Sequence, residues 1–66
     1  MKFEYALKAL REGKKVKNSL YDYVYAITDN ELCMANTTIV YKNGMWRSAE
    51  LEGDEILAEC WEVVDD

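Results

Sequence analysis

The sequence predicts a single compact α+β domain spanning residues 1–66. Three observations predict it: helical spacing of apolar residues near the start, strict alternation along residues 20–27, and an Asn-Gly pair between two strand-like runs. The expected order is an N-terminal helix, an antiparallel sheet of about four to five strands, a short C-terminal helix and a final strand. At 66 residues, half of them hydrophobic, the chain lies near the lower size limit for a stable core, so a homo-oligomer is a reasonable expectation.

The N-terminal helix follows from one apolar stripe. Phe3, Ala6, Leu7 and Leu10 lie at positions i, i+3, i+4 and i+7, so they share a helix face. An acid in the first turn and bases in the last turn agree with the helix dipole. Gly13 follows as the expected left-handed residue that ends the helix.

A strand is expected over residues 20–27, followed by a tight turn at Asp29-Asn30 and a second strand over residues 31–35. Alternation divides the first strand into two substantially apolar faces. One face carries Tyr21, Tyr23, Tyr25 and Ile27, and the other carries Leu20, Val24 and Ala26 with Asp22.

A hairpin is expected at Asn43-Gly44, because this pair tolerates the positive φ angles of a type I′ turn. The two-residue loop places Tyr41 opposite Trp46. Such an aromatic cross-strand pair stabilises a hairpin by roughly 0.5–1 kcal/mol.

The C-terminal part is expected to form a short helix and a strand. Gly53 interrupts the chain, and Asp54 is the expected N-cap of a helix that directs Ile56, Leu57 and Cys60 inward. From Cys60 onward the pattern becomes that of a strand, with Trp61 and Val63 on one side.

Charge is distributed unevenly along the chain. The net charge is −5, with six bases and two acids in residues 1–17 but eight acids and no base in residues 50–66. Direct nucleic-acid binding is disfavoured, because phosphate neutralisation needs clustered cations. The acidic segment instead suits a basic partner, although net charge for solubility explains it equally simply.

Catalysis and cofactor binding are not expected. The chain has no histidine, hence no ordinary catalytic triad, and no glycine-rich phosphate-binding motif. Glu55 and Glu59 share a helix face, but a solvated face explains them better than an acid–base pair. Cys33 and Cys60 are expected to be free thiols, and a mixed thiolate–carboxylate metal site using one of them stays open.

Two features suggest binding. The tyrosine face, with Trp46 as a possible neighbour, combines apolar area with hydrogen-bonding hydroxyl groups, although the same face can instead cover the core. The acidic segment can occupy a cationic groove. The candidate partner-binding residues are therefore Tyr21, Tyr23, Tyr25, Trp46, Asp54, Glu55 and Glu59.

Both ends of the chain resemble a family of small phage proteins. The opening FEYALKALREGKKV is similar to that family's F-x-x-A-L-x-x-L-K-x-G-K-K-V start, and the ending DEILAECWEVV to its D-x-L-A-x-D-W-x-V-V close. This is the Thoeris anti-defence family, whose members sequester cyclic-nucleotide immune signals and include an inhibitor of Cas9. The resemblance implies a compact α+β fold, homo-oligomers and binding without cleavage.

The middle of the chain departs from the family pattern. The family's Arg-Lys-Gly-Trp-Asn-Gly-type loop is replaced by residues 17–21, and its Trp-x-Pro-Ser stretch by Trp46-Arg47-Ser48. Cys60 stands where the family has the aspartate of its Asp-Trp pair. These departures affect the regions expected to form a nucleotide pocket.

The function expected from resemblance and charge together is counter-defence by stoichiometric binding in the bacterial cytoplasm. The first expectation is an anti-CRISPR protein that blocks a Cas nuclease through its acidic surface. The alternative is a cyclic-nucleotide sponge, with a tyrosine stacked on the base and phosphates neutralised by Lys14, Lys15, Lys17 and Arg47. No signal peptide or membrane segment is expected.

Overall fold

The computed structural model describes residues 1–21, 23–36 and 46–64. Its strands pair antiparallel in one sheet of order β4-β3-β2-β1-β5. The predicted α+β class, with a helix at the start and a short helix before the last strand, is confirmed. The elements are α1 (Phe3–Arg11), β1 (Lys15–Asn18), β2 (Tyr23–Thr28), β3 (Glu31–Asn36), β4 (Arg47–Ser48), α2 (Gly53–Leu57) and β5 (Trp61–Val64).

Helix α1 ends as its sequence predicts. Gly13 has a φ of 83°, and its N–H donates to the carbonyl of Leu10 at 3.1 Å. The N–H of Lys14 donates to the carbonyl of Ala9 at 3.0 Å. These two bonds form a Schellman motif, which satisfies the last helical carbonyls and directs the chain into β1.

The core lies between α1 and one face of the sheet. Ala6, Ala9 and Leu10 of the helix pack against Val16, Tyr25 and Trp61 of three strands. The indole of Trp61 is 1% exposed, and its ring centroid lies 5.5 Å from those of Phe3 and Tyr25. The tilted aromatic cluster supplies much of the buried apolar area of this small domain.

Strand β2 begins later than its alternation predicts, at Tyr23 instead of Leu20. Residues 19–21 form a turn organised by Asn18, whose Oδ1 accepts the N–H of Leu20 at 2.8 Å and whose carbonyl accepts that of Tyr21 at 3.2 Å. The physical reason is that β1 and β2 are themselves a hairpin, and an asparagine side chain competes with strand pairing where the chain must reverse.

The predicted turn at Asp29-Asn30 is confirmed. Their φ angles are 54° and 64°, as a type I′ turn requires, and Thr28 pairs with Glu31. The predicted Asn43-Gly44 hairpin and its Tyr41–Trp46 pair lie outside the described residues.

Helix α2 differs from its prediction in both its cap and its buried side. Glu52, not Asp54, is the N-cap, and it forms a reciprocal capping box with Glu55. Ile56 and Leu57 are exposed, Leu57 by 83%, so their predicted inward orientation is wrong. The five-residue helix turns Glu55 inward instead, because the Tyr25 hydroxyl donates to the Glu55 carboxylate. The indole N–H of Trp61 also donates to the backbone carbonyl of Glu55, at 2.8 Å.

Strand β5 completes the sheet beside β1, with Trp61 opposite Asn18. The backbone of Met1 joins this edge: its nitrogen donates to the carbonyls of Glu59 and Trp61, and its carbonyl accepts the Trp61 N–H at 3.1 Å. Within the described ranges, neither helix has the length and apolarity needed to cross a membrane.

Candidate binding groove

A groove of about 230 Å³ lies at the helix-facing side of β2 and β3, beside the segment that leads into α2. We call it the tyrosine groove. It brings the predicted tyrosine row and part of the predicted acidic segment together, although the two are about 30 residues apart in sequence. Its lining residues are Tyr21, Tyr23, Tyr25, Met34, Glu50, Glu52 and Glu55.

The inner end of the tyrosine groove is built from two buried side chains. Tyr25 is 2% exposed and Glu55 is 3% exposed, and the Tyr25 hydroxyl donates to Glu55 Oε2. Burial, followed by this bond to a carboxylate, raises the pKa of Tyr25 well above its ordinary value. The expectation that Glu55 lies on a solvated helix face is therefore wrong, and Tyr25 belongs to the core.

The outer wall carries an accessible tyrosine–carboxylate pair. The hydroxyl of Tyr21 donates to Asp54 Oδ2 at 2.9 Å, and Asp54 Oδ1 accepts the N–H of Glu55 at 2.9 Å. The hydrogen bond and the negative charge of Asp54 raise the pKa of the Tyr21 phenol. Two predicted site residues from distant parts of the chain thus form one acidic, hydrogen-bonded surface.

Tyr23, half-buried on β2, holds a guanidinium group of the same chain. The Arg47 guanidinium carbon lies 5.6 Å from the Tyr23 ring centroid, and Arg47 Nη2 lies 3.5 Å from the Tyr23 hydroxyl. This is cation–π geometry, in which the negative face of the ring attracts the cation. One face of the Tyr23 ring is therefore covered by a guanidinium group of the same chain.

Two predicted site residues lie elsewhere. Trp46 is half-buried just before β4 and does not line the tyrosine groove. Glu59 lies on a second groove, of about 300 Å³, between the start of α1 and helix α2. The three predicted acids therefore do not form one patch. Their side chains point in different directions, because Asp54 and Glu55 lie on a short helix and Glu59 lies in the turn after it. The second groove is lined by Lys2, Phe3, Glu4, Ile56, Leu57, Ala58 and Glu59.

The bases proposed for phosphate binding are not gathered at the tyrosine groove. Lys14 pairs with Glu12 at 3.2 Å, and Lys17 pairs with Glu62 at 3.5 Å, both at exposed positions. Lys17 is the register partner of Val24, so it lies on the sheet face opposite to Tyr23 and Tyr25. Arg47 is a candidate cation that contacts a groove tyrosine, Tyr23.

The two cysteines are free and far apart in the sheet order. Cys33 is buried on β3, and Cys60 is half-buried just before β5, with β2 and β1 between those strands. Among the residues that the structure describes, no group of three cysteine, aspartate or glutamate side chains is arranged to hold a metal ion.

Met34 lines the groove but is not among the residues predicted from the sequence, although a signal for it is present. Counting back from the Asp29-Asn30 turn pairs Tyr25 with Met34 and places both on the helix-facing side. Glu50 and Glu52 were part of the acidic segment but not singled out, since nothing in their local sequence shows that they would meet the tyrosines.

The geometry defines a small α+β protein with an acidic, tyrosine-lined groove and a buried aromatic core. No family model matches the chain, and no curated protein or solved structure matches it. The resemblance to the Thoeris anti-defence family thus stays an expectation from the sequence.

Proposed function

We propose that this protein acts by stoichiometric binding, with the tyrosine groove and its acidic rim occupying a cationic surface of a partner protein in the bacterial cytoplasm. The observation that carries the proposal is the meeting of Tyr21 and Tyr23 with Glu50 and Glu52 at one groove. The Tyr21 hydroxyl also binds Asp54, which extends the acidic surface beside that groove. The partner proposed first is a Cas nuclease, and the phage origin of the protein is part of the same proposal.

The chemistry of the groove favours arginine as the recognised side chain. Exposed carboxylates of Glu50 and Glu52 supply charge-assisted hydrogen bonds, which are about twice as strong as neutral ones. A guanidinium group also stacks on aromatic faces, as Arg47 does on Tyr23. Tyrosine and arginine are enriched at the energetic centres of interfaces.

The nucleic-acid channel of a nuclease presents a cationic surface of the kind that this groove would recognise. Nucleases hold DNA and guide RNA with clustered arginine and lysine side chains, so a protein with grouped carboxylates competes for the same cations. The net charge of −5 adds long-range attraction. Because exposed charges are screened by salt, binding is expected to weaken as ionic strength rises.

The test is inhibition of DNA cleavage by purified Cas9 loaded with guide RNA. We expect inhibition at near-equimolar protein, lost by at least tenfold in the double variant Glu50→Lys/Glu52→Lys, whose fold is checked by circular dichroism because Glu52 caps α2. The matched control is Glu12→Lys/Glu62→Lys, which makes the same change in net charge at exposed acids paired with surface lysines. Glu55 is left unchanged, because it is buried.

The control separates specific recognition from bulk charge. We expect Glu12→Lys/Glu62→Lys to inhibit within about twofold of wild type, since these acids lie outside the groove and act on the partner only through attraction that salt screens. Wild-type protein that does not inhibit Cas9, or equal losses in both double variants, would overturn the groove proposal.

The cyclic-nucleotide sponge is the competing outcome. Binding to the folded state raises thermal stability, so cyclic ADP-ribose at a large excess over its Kd would raise the melting temperature by mass action. A clear upward shift with this probe, together with no inhibition of Cas9, would replace the nuclease proposal with the sponge.

A further inference from the structure

The second groove, between the start of α1 and α2, is bordered by accessible apolar side chains. Leu57 is 83% exposed and Ile56 is 43% exposed. Met1 adjoins the groove, since its nitrogen donates to the Glu59 carbonyl at 3.0 Å, and it is 38% exposed. Single exposed apolar residues are ordinary, but three of them beside one recess of about 300 Å³ indicate an interaction surface.

This face carries both a projecting side chain and a recess. Leu57 is the projection, and the recess beside it is lined by Phe3, whose ring packs against Trp61 at a centroid distance of 5.5 Å. An isologous interface uses the same patch of both subunits, so each copy of Leu57 can enter the recess of the other. A groove for an unrelated peptide needs a recess but no projection, so the surface fits a second copy of this chain best.

The charges of the second groove favour the same partner. The α1 side contributes Lys2 and Glu4, and the α2 side contributes Glu59, all three exposed. Neither Lys2 nor Glu59 forms an ion pair with another residue in the described part of the chain. A two-fold rotation that brings the α2 side of each copy against the α1 side of the other places Lys2 opposite the partner's Glu59, and does so twice. Opposite charges thus meet across the contact, although each copy has a net charge of −5.

We propose that the second groove is the contact surface of a two-fold symmetric homodimer. Leu57 of each copy fills the recess of the other, and Lys2 of each copy pairs with the partner's Glu59. Burial of the leucine supplies the apolar contribution to binding, and the two ion pairs at the rim fix the relative orientation of the copies.

The size of the second groove sets the expected strength of the dimer. Seven residues line it, fewer than the roughly 20–30 residues a side of a standard interface. The dimer is therefore expected to be reversible, with a dissociation constant in the micromolar range. A domain of 66 residues buries little apolar surface by itself, so association also stabilises its fold by mass action.

The second groove is separate from the tyrosine groove, since no residue lines both. The dimer proposal therefore does not depend on the proposed function. A protein that fails to inhibit Cas9 can still dimerise through Leu57, and a monomeric protein can still inhibit Cas9 through the tyrosine groove.

The experiment is sedimentation velocity of the native protein at concentrations from about 5 to 500 μM, a range that brackets a micromolar dissociation constant. We expect the sedimentation coefficient to rise with concentration from that of a monomer to that of a dimer. Leu57→Glu should weaken association by at least about tenfold, because it places a carboxylate in the apolar recess. The matched control is Leu20→Glu, at a residue that is 50% exposed and lines neither groove, and it should associate within about twofold of wild type. Circular dichroism checks that both variants fold.

Charge reversal tests the orientation of the two copies. Lys2→Glu and Glu59→Lys should each weaken association by about fivefold or more, because two-fold symmetry makes one substitution change two contacts. Glu59→Lys also moves the net charge toward zero, so an effect of bulk charge alone would strengthen association instead. Mixing the two variants in equal amounts should restore association to within about twofold of wild type, since a mixed dimer again pairs opposite charges at both contacts.

Three results would overturn the dimer proposal. The first is a chain that stays monomeric over the whole concentration range, which would leave the second groove to a different partner. The second is a dimer that Leu57→Glu does not weaken, which would place the contact on another surface. The third is a mixture of Lys2→Glu and Glu59→Lys that associates no better than either variant alone.

Discussion

At the scale of single residues, the hydrogen bond between Tyr25 and Glu55 has the clearest energetic consequence. It joins α2 to the sheet at buried positions, and the capping box holds the same glutamate from the other side. Removing one partner of a buried hydrogen bond leaves the other desolvated and unsatisfied, which costs more than the bond itself contributes.

Tyr25→Phe should therefore lower the free energy of unfolding by about 1–3 kcal/mol, since it leaves a carboxylate oxygen without its donor. The measurement is urea denaturation followed by Trp fluorescence. Tyr5→Phe is the matched control: Tyr5 is 57% exposed on α1, and its variant should stay within about 0.5 kcal/mol of wild type. Equal effects of the two substitutions would contradict a buried Tyr25–Glu55 bond.

Alkaline pH tests the same residue independently. The pKa of Tyr25 is raised in the folded state relative to about 10 in an unfolded chain, so its contribution to stability is fully present below pH 10. It is lost as the pH rises above 10, because the unfolded state then releases the phenolic proton more readily. Wild type should lose more stability than Tyr25→Phe between pH 9.5 and about pH 11.5; parallel losses in urea titrations would contradict the assignment.

At the scale of elements, two glycines adjoin the two helices under different constraints. Gly13 has a φ of 83° after α1, a conformation that places the Cβ of any other residue close to the backbone carbonyl. Gly53 begins α2 without a left-handed φ. Apart from the glycine itself, its two chain neighbours and the nearby backbone of its own helix, no atom lies within 4 Å of a Cβ built at either position, so backbone conformation separates the two glycines.

Gly13→Ala should destabilise the protein by about 1–2 kcal/mol through left-handed strain. Gly53→Ala should be neutral or stabilising by up to about 1 kcal/mol, because alanine has the higher helix propensity and a less flexible unfolded chain. Thermal and urea unfolding of the two variants measure the difference. Two variants of equal stability would show that Gly13 does not need its observed conformation.

At the scale of the whole molecule, stability is expected to follow the sheet order. Strands β1 and β2 have a partner on each side and carry core residues Val16 and Tyr25. Among the strands that the structure describes, β4 lies at one edge of the sheet and has two residues, both exposed. A short edge strand limits pairing with other chains, but it gains little stability from packing.

Amide hydrogen exchange should therefore be slowest at Val16, Val24 and Tyr25, near the global unfolding limit, and fast in β4. The measurement is exchange followed by NMR at neutral pH on the native protein. Protection in β4 equal to that in β2 would indicate a second contact that covers this edge, such as self-association. The expected homo-oligomer itself is checked by sedimentation velocity.

The sequence by itself determined the elements whose signals are local. Apolar residues at helical spacing predict α1, and Gly13 predicts where it ends. Alternation predicts most of β2. Two residues that tolerate positive φ angles predict the Asp29-Asn30 turn. The predicted start of β2 is wrong, because the Asn18 side chain accepts the Leu20 N–H and thereby holds the residues after it in a turn.

Only the tertiary structure decided which side chains are accessible and which meet. Glu55 belongs to an acidic run that suggests solvent, yet its carboxylate is buried and accepts a long-range hydrogen bond from the Tyr25 hydroxyl. The contact of Tyr21 with Asp54 likewise depends on how α2 packs beside the sheet. A single sequence cannot encode these pairings in its local periodicity, because each depends on the relative placement of elements about 30 residues apart.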